Sequence, residues 1–153
     1  MSVTLAQRFL EERKIPYEGR EYDFRVKGAE YASEALGWPP EAMIKTLVAV
    51  LDKDLTLVLM PADREMSLKN LARLAGAKAA RMATVEEAQK ATGYLVGGIS
   101  PFGTKKTMPV WMEESLLSFD TVGINGGRRG FIIFLKASAV QSSLAARTAH
   151  LSI

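Results

Sequence analysis

The hydrophobic pattern is strongest over residues Met43–Leu51, which read MIKTLVAVL. Apolar residues occupy both alternating faces of this segment, which is typical of a strand covered on two sides within a sheet. A polar turn at residues 52–54 and a second apolar run at residues 55–60 follow, so the pattern predicts a β-hairpin. Lys45 is the exception, because its charged side chain falls on the same strand face as Met43.

Shorter apolar runs and helical periodicities predict the other elements. The predicted strands cover residues 17–22, 79–82, 108–112, 121–124 and 131–135. The predicted helices cover residues 4–14, 30–36, 67–75, 84–92 and 138–148, and two of them begin at capping boxes, Thr4 with Gln7 and Thr84 with Glu87. Strands and helices do not alternate strictly, so the sequence predicts an α+β domain with a mixed or antiparallel sheet.

Glycine and proline punctuate one loop, residues 92–106, which read TGYLVGGISPFGTKK. Glycine lets main-chain N–H groups approach a ligand closely, and Pro101 fixes the path of the loop. Its backbone is therefore suited to bind a carbonyl or phosphate oxygen. The same composition is equally typical of a connecting loop. The loop lacks both the GK[ST] ending of a phosphate-binding loop and the GxGxxG spacing of a dinucleotide site.

The composition predicts one globular domain spanning residues 1–153. Hydrophobic residues make up 48% and charged residues 24% of the sequence, which is the ordinary balance of soluble domains. No apolar run reaches the ~20 residues that span a bilayer, and there is no signal-peptide core, so we expect a cytoplasmic location without membrane attachment. The formal net charge of +3 permits an anionic partner without requiring one.

Several classes of catalytic site are disfavoured, and the one charged residue of the central strand has two interpretations. The chain has no cysteine, and its one histidine, His150, lies near the C-terminus. The acidic residues fall in turns and at element starts, so paired-carboxylate catalysis has little support. Lys45 either reaches water along its aliphatic stem or lies over a pocket as a cation for a carbonyl or anionic oxygen. The basic pairs at residues 105–106 and 128–129 either solubilise their loops or contact phosphates.

The strand segment Lys45-Thr46-Leu47-Val48, combined with the glycine loop, resembles the YbaK/EbsC family of aminoacyl-tRNA deacylases. The likeness spans nearly the whole chain. Its two diagnostic parts are Lys45 and a GGxxPxG loop, formed here by Gly97, Gly98, Pro101 and Gly103. The resemblance implies a small, mixed, mostly antiparallel and β-barrel-like sheet flanked by helices, the fold of the editing domain of bacterial prolyl-tRNA synthetases.

The resemblance also implies an activity, the trans-editing deacylation of mischarged tRNA(Pro), with Cys-tRNA(Pro) as the first candidate. A second site of this kind is needed because a proline site cannot firmly exclude an amino acid of smaller or similar size. The implied partners are mischarged tRNA(Pro) and, as a candidate, prolyl-tRNA synthetase, with no cofactor and no metal. The alternatives are deacylation of Ala-tRNA(Pro) or another mischarged tRNA, and a non-catalytic module that binds tRNA or a synthetase.

The roles of individual residues follow from the same resemblance. The substrate's own thiol attacks its ester carbonyl, while the protein positions the reactants and stabilises charge. Lys45 holds the substrate near the carbonyl or the terminal ribose, and the Gly97-Gly98 backbone donates hydrogen bonds to the carbonyl oxygen. The pocket is lined by Tyr22, with Phe24 or Ala29 as further candidates. The remaining substrate-binding assignments are Thr46, Ile99, Ser100, Pro101, Phe102 and Gly103.

Overall fold

Helices flank a sheet in the computed structural model, which describes residues 2–24 and 29–153, without the side chains of residues 29 and 30. The helices are α1 (Leu5–Glu12), α2 (Ala29–Leu36), α3 (Leu68–Ala75), α4 (Val85–Thr92) and α5 (Ala137–Leu144). The strands are β1 (Glu18–Glu21), β2 (Met43–Leu51), β3 (Asp54–Pro61), β4 (Ala80–Met82), β5 (Val110–Glu113), β6 (Thr121–Asn125), β7 (Phe131–Lys136) and β8 (Arg147–Ala149). No helix within the described ranges is long and apolar enough to cross a membrane.

The strands form one sheet in the order β1-β7-β6-β2-β3-β5-β8, and β4 pairs with β2. Over the described ranges, four strand pairings are antiparallel and three are parallel, the parallel ones being β2 with β6, β3 with β5 and β5 with β8. The predicted α+β fold with a mixed, mostly antiparallel sheet flanked by helices is confirmed. The order ends at β1 and β8, so the sheet is open and is barrel-like only in a loose sense.

The central strand β2 is covered on both faces, as its apolar pattern predicts. Ile44 and Val48 pack into the largest core cluster, whereas Ala49 packs on the other face against a cluster that contains Trp111. Met43 belongs to a third cluster that lies towards α2 and β7. Burial of β2 on both faces fixes its backbone, and with it the position of the partly exposed Lys45.

Side-chain caps fix the starts of three helices. The capping boxes of Thr4 with Gln7 and of Thr84 with Glu87 are both formed, and Ser67 caps α3 by accepting a hydrogen bond from the Asn70 N–H. Helix α4 ends at Gly93, whose φ of 81° is a left-handed conformation that glycine adopts without strain. The glycine loop therefore leaves α4 in a fixed direction.

The predicted C-terminal helix is wrong beyond Leu144. Ala145 adopts a left-handed conformation with φ 50°, and its N–H closes the helix by donating to the carbonyls of Gln141 and Ser142. The chain then extends and forms β8, which pairs in parallel with β5. Helical periodicity continues past Leu144 in the sequence, but the sheet edge at β5 offers hydrogen bonds that the helix cannot.

Glu113 ties the C-terminal segment to the end of β5. Its carboxylate is buried and accepts hydrogen bonds from the N–H groups of Ser115, Leu151 and Ser152 and from the Ser152 hydroxyl. Burial raises the pKa of this carboxyl, but the hydrogen bonds outweigh it and hold the pKa below its ordinary value. His150 lies at the surface with Nδ1 3.9 Å from the Glu113 carboxylate.

We expect Glu113→Gln to lower the free energy of unfolding by about 2 kcal/mol at neutral pH, because charge-assisted hydrogen bonds are lost and the new amide faces the Ser115 N–H. The folded-state pKa lies below the ordinary value of 4.5. The stability that the carboxylate contributes is therefore complete above that value and is lost as the pH falls through the folded-state pKa. Urea unfolding of both proteins at neutral and acidic pH measures this. If the difference in unfolding free energy between the two proteins is the same at neutral and acidic pH, the Glu113 carboxylate does not contribute this stability.

Candidate active site

A small cavity opens between the start of β2, the β6–β7 hairpin and the glycine loop. Its volume is about 190 Å³. This is below the roughly 300–1,000 Å³ of pockets for drug-sized ligands, so the cavity suits a group the size of an amino acid. The described residues that line it are Tyr22, Ala32, Met43, Ile44, Lys45, Thr46, Val96, Gly97, Ile99, Asn125 and Ile132.

The floor of the cavity is apolar. Met43, Ile44 and Ile132 are buried there. Met43 fits because its neighbour on β6 is Gly123, where a Cβ atom would lie 2.8 Å from the Met43 sulfur. Its described polar side chains are those of Tyr22, Lys45, Thr46 and Asn125. A few polar groups in a mainly apolar lining are typical of a site that encloses a small side chain and contacts the polar atoms attached to it.

Lys45 and the glycine loop meet at this cavity. Lys45 and Gly97 line it from opposite elements, β2 and the loop after α4. Within residues 2–24 and 29–153 the Lys45 ammonium forms no hydrogen bond or ion pair with a protein group. A half-buried cation that contacts no acceptor among the described residues favours the ligand-binding interpretation over a purely solvent-exposed one.

The Thr46 hydroxyl is an unpaired polar group at the same place. Its oxygen is buried, and within the described residues it has no hydrogen-bond partner. Leaving a buried hydroxyl unpaired costs about 1–3 kcal/mol, so such groups call for an explanation. A ligand atom entering the cavity supplies one.

Replacing Thr46 with valine should separate binding from stability. The variant removes an unpaired hydroxyl without changing the volume, so the free energy of unfolding should stay equal or rise, while the KM for substrate should rise about five- to tenfold. Thr56→Val is the matched control, because the buried Thr56 hydroxyl donates to the Pro109 carbonyl at 2.8 Å. That variant should lose stability and keep its KM. If Thr46→Val loses stability and keeps its KM, while Thr56→Val raises the KM, Thr46 is not part of the site.

The backbone of the glycine loop is held in a tight turn. The Gly98 N–H donates to the Leu95 carbonyl at 2.8 Å, so its hydrogen is already engaged. Gly97 has φ 95°, and its N–H donates to no acceptor in the described part of the chain. Of the two glycines assigned as donors, Gly97 is thus the one with a free N–H at the cavity.

The loop divides into a half that lines the cavity and a half that does not. Ile99 lines the cavity, whereas the Ser100 hydroxyl is buried and accepts from the Phe102 N–H. Phe102 is fully buried against Phe9, with ring centroids 5.5 Å apart. The other two assigned residues, Pro101 and Gly103, line a separate groove beside α1. The structure therefore brings Tyr22, Lys45, Thr46, Gly97 and Ile99 together and leaves Ser100, Pro101, Phe102 and Gly103 as supports of the loop.

The β6–β7 hairpin contributes Asn125, which no sequence motif marked as a site residue, and Arg129, which the sequence marked only as part of a basic pair. Asn125 lines the cavity, donates from Nδ2 to the Gly97 carbonyl at 3.1 Å, and accepts from the Gly127 N–H at 2.7 Å. The Arg129 Nε donates to the Val96 carbonyl at 3.0 Å. The sequence signal was an asparagine directly before two glycines, which indicates a turn but not the loop that it contacts.

The basic pair at this hairpin is engaged by protein groups. Arg128 forms a 2.9 Å ion pair with Glu21, and its guanidinium lies 4.2 Å from the centroid of the Phe131 ring. These contacts favour a structural role over a phosphate contact for Arg128. Lys105 and Lys106 are exposed.

Tyr22 forms one wall of the cavity. Its N–H donates to the Gly130 carbonyl at 2.9 Å, and burial raises the pKa of its hydroxyl above the ordinary value. The hydroxyl therefore stays protonated at neutral pH and is available as a hydrogen-bond donor. Phe24 is exposed and lies against Gly130, whereas the side chain of Ala29 lies outside the described residues.

A family model for the aminoacyl-tRNA editing domain matches residues 25–142. The chain belongs to the aminoacyl-tRNA editing domain family. Every described lining residue of the cavity except Tyr22 falls within the matched range. The resemblance stated from Lys45 and the glycine loop is confirmed.

Relatives of this editing domain include free-standing proteins and parts of synthetases. EbsC of Enterococcus faecalis, a proposed Cys-tRNA(Pro)/Cys-tRNA(Cys) deacylase, is 35% identical over 144 residues, which cover 91% of this chain and 87% of EbsC. The proline–tRNA ligase of Shouchella clausii is 29% identical over 126 residues, which cover 82% of this chain and 21% of the ligase. A solved structure described as a proposed trans-editing enzyme for prolyl-tRNA synthetase has a TM-score of 0.90 at 27% identity, and the match covers 97% of this chain and 95% of that one.

Proposed function

We propose that this protein is a trans-editing deacylase of mischarged tRNA(Pro), with Cys-tRNA(Pro) as its main substrate. The observation that supports the proposal is the meeting of Lys45, the Thr46 hydroxyl and the Gly97 N–H around one cavity of about 190 Å³ in an editing domain. Neither the hydroxyl nor the N–H has a hydrogen-bond partner among the described residues. The proposed partners are tRNA(Pro) that carries a wrong amino acid and prolyl-tRNA synthetase, which produces it. Residues 1–153 act as one domain in the cytoplasm.

The proposed reaction uses a nucleophile from the substrate. The described lining contains no Ser, Cys, His, Asp or Glu, and its Thr46 hydroxyl has no hydrogen-bonded base among the described residues to activate it. The thiol sulfur of the cysteinyl group attacks the ester carbonyl carbon, and the carbonyl oxygen takes the negative charge of the tetrahedral intermediate. Collapse of the intermediate breaks the bond to the ribose oxygen, which leaves as a hydroxyl with the proton that the thiol gives up. The products are a cyclic thiolactone and uncharged tRNA.

The protein contributes orientation and charge stabilisation to this reaction. The apolar floor at Met43 and Ile44 holds the cysteinyl side chain bent towards its own carbonyl, which converts attack into a well-oriented intramolecular step. The Gly97 N–H donates to the carbonyl oxygen as its charge grows, and the Lys45 ammonium adds a positive charge close to the ester. Together these groups favour the tetrahedral intermediate over the bound ester.

Single-turnover deacylation tests the proposal. The substrates are tRNA(Pro) charged with cysteine, S-methylcysteine, alanine or proline, with buffer alone as the reference. We expect release to be fastest from Cys-tRNA(Pro) and strongly reduced for S-methylcysteine, which keeps the sulfur atom, carries one additional methyl group and has no free thiol. Release at the buffer rate from all four substrates would overturn the deacylase proposal. Equal release of cysteine and S-methylcysteine would instead overturn the thiol route.

A further inference from the structure

In the three peptide groups that join residues 95 to 98, the hydrogen bonds of the described chain leave one N–H without an acceptor. In the first peptide, the Leu95 carbonyl accepts a hydrogen bond from the Gly98 N–H, and the Val96 N–H donates one to Gln89 Oε1. In the second and third peptides, the Val96 carbonyl accepts from Arg129 and the Gly97 carbonyl accepts from Asn125. The remaining polar group of these three peptides is the Gly97 N–H, which has no acceptor in the described part of the chain.

Arg129 controls the direction of that free donor. The peptide between Val96 and Gly97 is trans, so its C=O and N–H point to opposite sides. The Arg129 Nε holds the carbonyl at 3.0 Å, which turns the Gly97 N–H away from the guanidinium. Val96 and Gly97 both line the cavity, whereas Arg129 is absent from its described lining.

The contact between Arg129 and Gly97 is close enough to fix this arrangement. A Cβ atom on Gly97 would lie 3.0 Å from the Arg129 Nε and 3.3 Å from its Cγ. The arginine side chain therefore lies over the bare face of the glycine and keeps that peptide from rotating. The hydrogen bond also polarises the peptide, because a donor on the carbonyl strengthens the N–H on the other side as a donor.

We infer that Arg129 is a positioning residue for deacylation, which presents the Gly97 N–H to the carbonyl oxygen of the aminoacyl ester. The inference rests on the proposed function for its substrate. It assigns to Arg129 a role other than the phosphate contact that a loop arginine suggests. The guanidinium acts through the Val96–Gly97 peptide and does not touch the substrate.

The positioning role and a phosphate-contact role have different consequences in kinetics. If Arg129 orients the Gly97 N–H, Arg129→Ala should lower the single-turnover rate at saturating Cys-tRNA(Pro) by roughly 10–100-fold, because a displaced oxyanion donor loses much of its effect. The Kd for uncharged tRNA(Pro) and its salt dependence should change less than twofold. A phosphate contact would instead weaken tRNA binding and lower the salt slope by about one unit, with the saturated rate unchanged. That second outcome would overturn the inference.

Arg73→Ala provides the matched control. Arg73 is an exposed arginine on α3, and its guanidinium donates to the Asn70 side chain at 2.6 Å. Its loss should leave both the saturated rate and tRNA binding unchanged. A fall in rate for Arg73→Ala equal to that for Arg129→Ala would mean that the effect is not specific to the glycine loop and would also overturn the inference.

A measurement without turnover separates this inference from the proposed function. The ¹⁵N and ¹H shifts of Gly97 in the free protein report the orientation of its peptide. We expect Arg129→Ala to move these resonances, and unchanged resonances would overturn the positioning role even in an active enzyme. If the wild type is inactive but Arg129→Ala still moves the Gly97 resonances, the proposed function is overturned. The effect of Arg129 on the glycine loop would then still stand.

Discussion

Replacing Lys45 with alanine should lower the single-turnover rate on Cys-tRNA(Pro) by more than about tenfold, which is ~1.4 kcal/mol or more of transition-state stabilisation. The side chain is partly exposed at the cavity and pairs with no described protein group, so its removal takes away a charge that is free to act on the ester. The fold should persist, because β2 is held by its neighbours on both sides through the backbone.

Two further lysine variants sharpen this prediction. Lys45→Met keeps an aliphatic stem and removes the charge, so a rate as low as that of Lys45→Ala would assign the effect to the ammonium group. Lys53→Ala is the matched control, since Lys53 is exposed in the turn of the same hairpin. It should retain the wild-type rate. If Lys45→Ala also retains that rate, Lys45 is not part of the site.

Gly98→Ala should disturb both stability and activity. A Cβ atom at this position would lie 2.9 Å from the Arg128 Cα and 2.9 Å from the Arg129 backbone nitrogen. Backbone atoms cannot rotate away as a flexible side chain can, so the glycine loop and the β6–β7 hairpin must separate. We expect a loss of about 1–3 kcal/mol in the free energy of unfolding. We also expect at least a tenfold fall in the deacylation rate at a temperature where the variant is folded, because the Gly97 N–H moves with the loop.

Gly76→Ala tests whether the loss of activity is specific. Gly76 closes α3 with φ 71°, and a Cβ atom there would meet no atom within 4 Å. Its replacement should cost about 1 kcal/mol of stability through backbone strain and leave the deacylation rate unchanged. Thermal unfolding and single-turnover assays on both variants make the comparison. A normal rate in folded Gly98→Ala would show that the closeness of the two loops is not needed for catalysis.

Local sequence signals predicted the structure correctly where residues close together in the chain decide it. Met43–Leu51 is observed as predicted, because two apolar faces and a tight turn leave few alternatives to a central hairpin strand. Capping side chains mark the starts of α1 and α4 for a similar reason. The C-terminal segment depends instead on β5 and on Glu113, which are distant in sequence, and helical periodicity there predicts the wrong structure.

The sequence predicted only those residues of the candidate site that have a local sequence signal. Lys45 and Gly97 are visible because a charge within an apolar strand and paired glycines are unusual in sequence. Asn125 and Arg129 are ordinary polar residues of a turn, and their importance comes only from the loop that packs against them. Phe102 shares the glycine motif but faces the core, which the spacing of the motif does not disclose.

The most direct test of the account is a crystal structure with a stable substrate analogue, 3′-cysteinylamino-3′-deoxyadenosine, whose amide replaces the ester. We predict that the cysteinyl group fills the cavity above Met43 and Ile44, with its carbonyl oxygen about 3 Å from the Gly97 nitrogen and near the Lys45 ammonium. An aminoacyl group bound in the groove beside α1, or a carbonyl oxygen out of hydrogen-bonding reach of Gly97, would contradict the account.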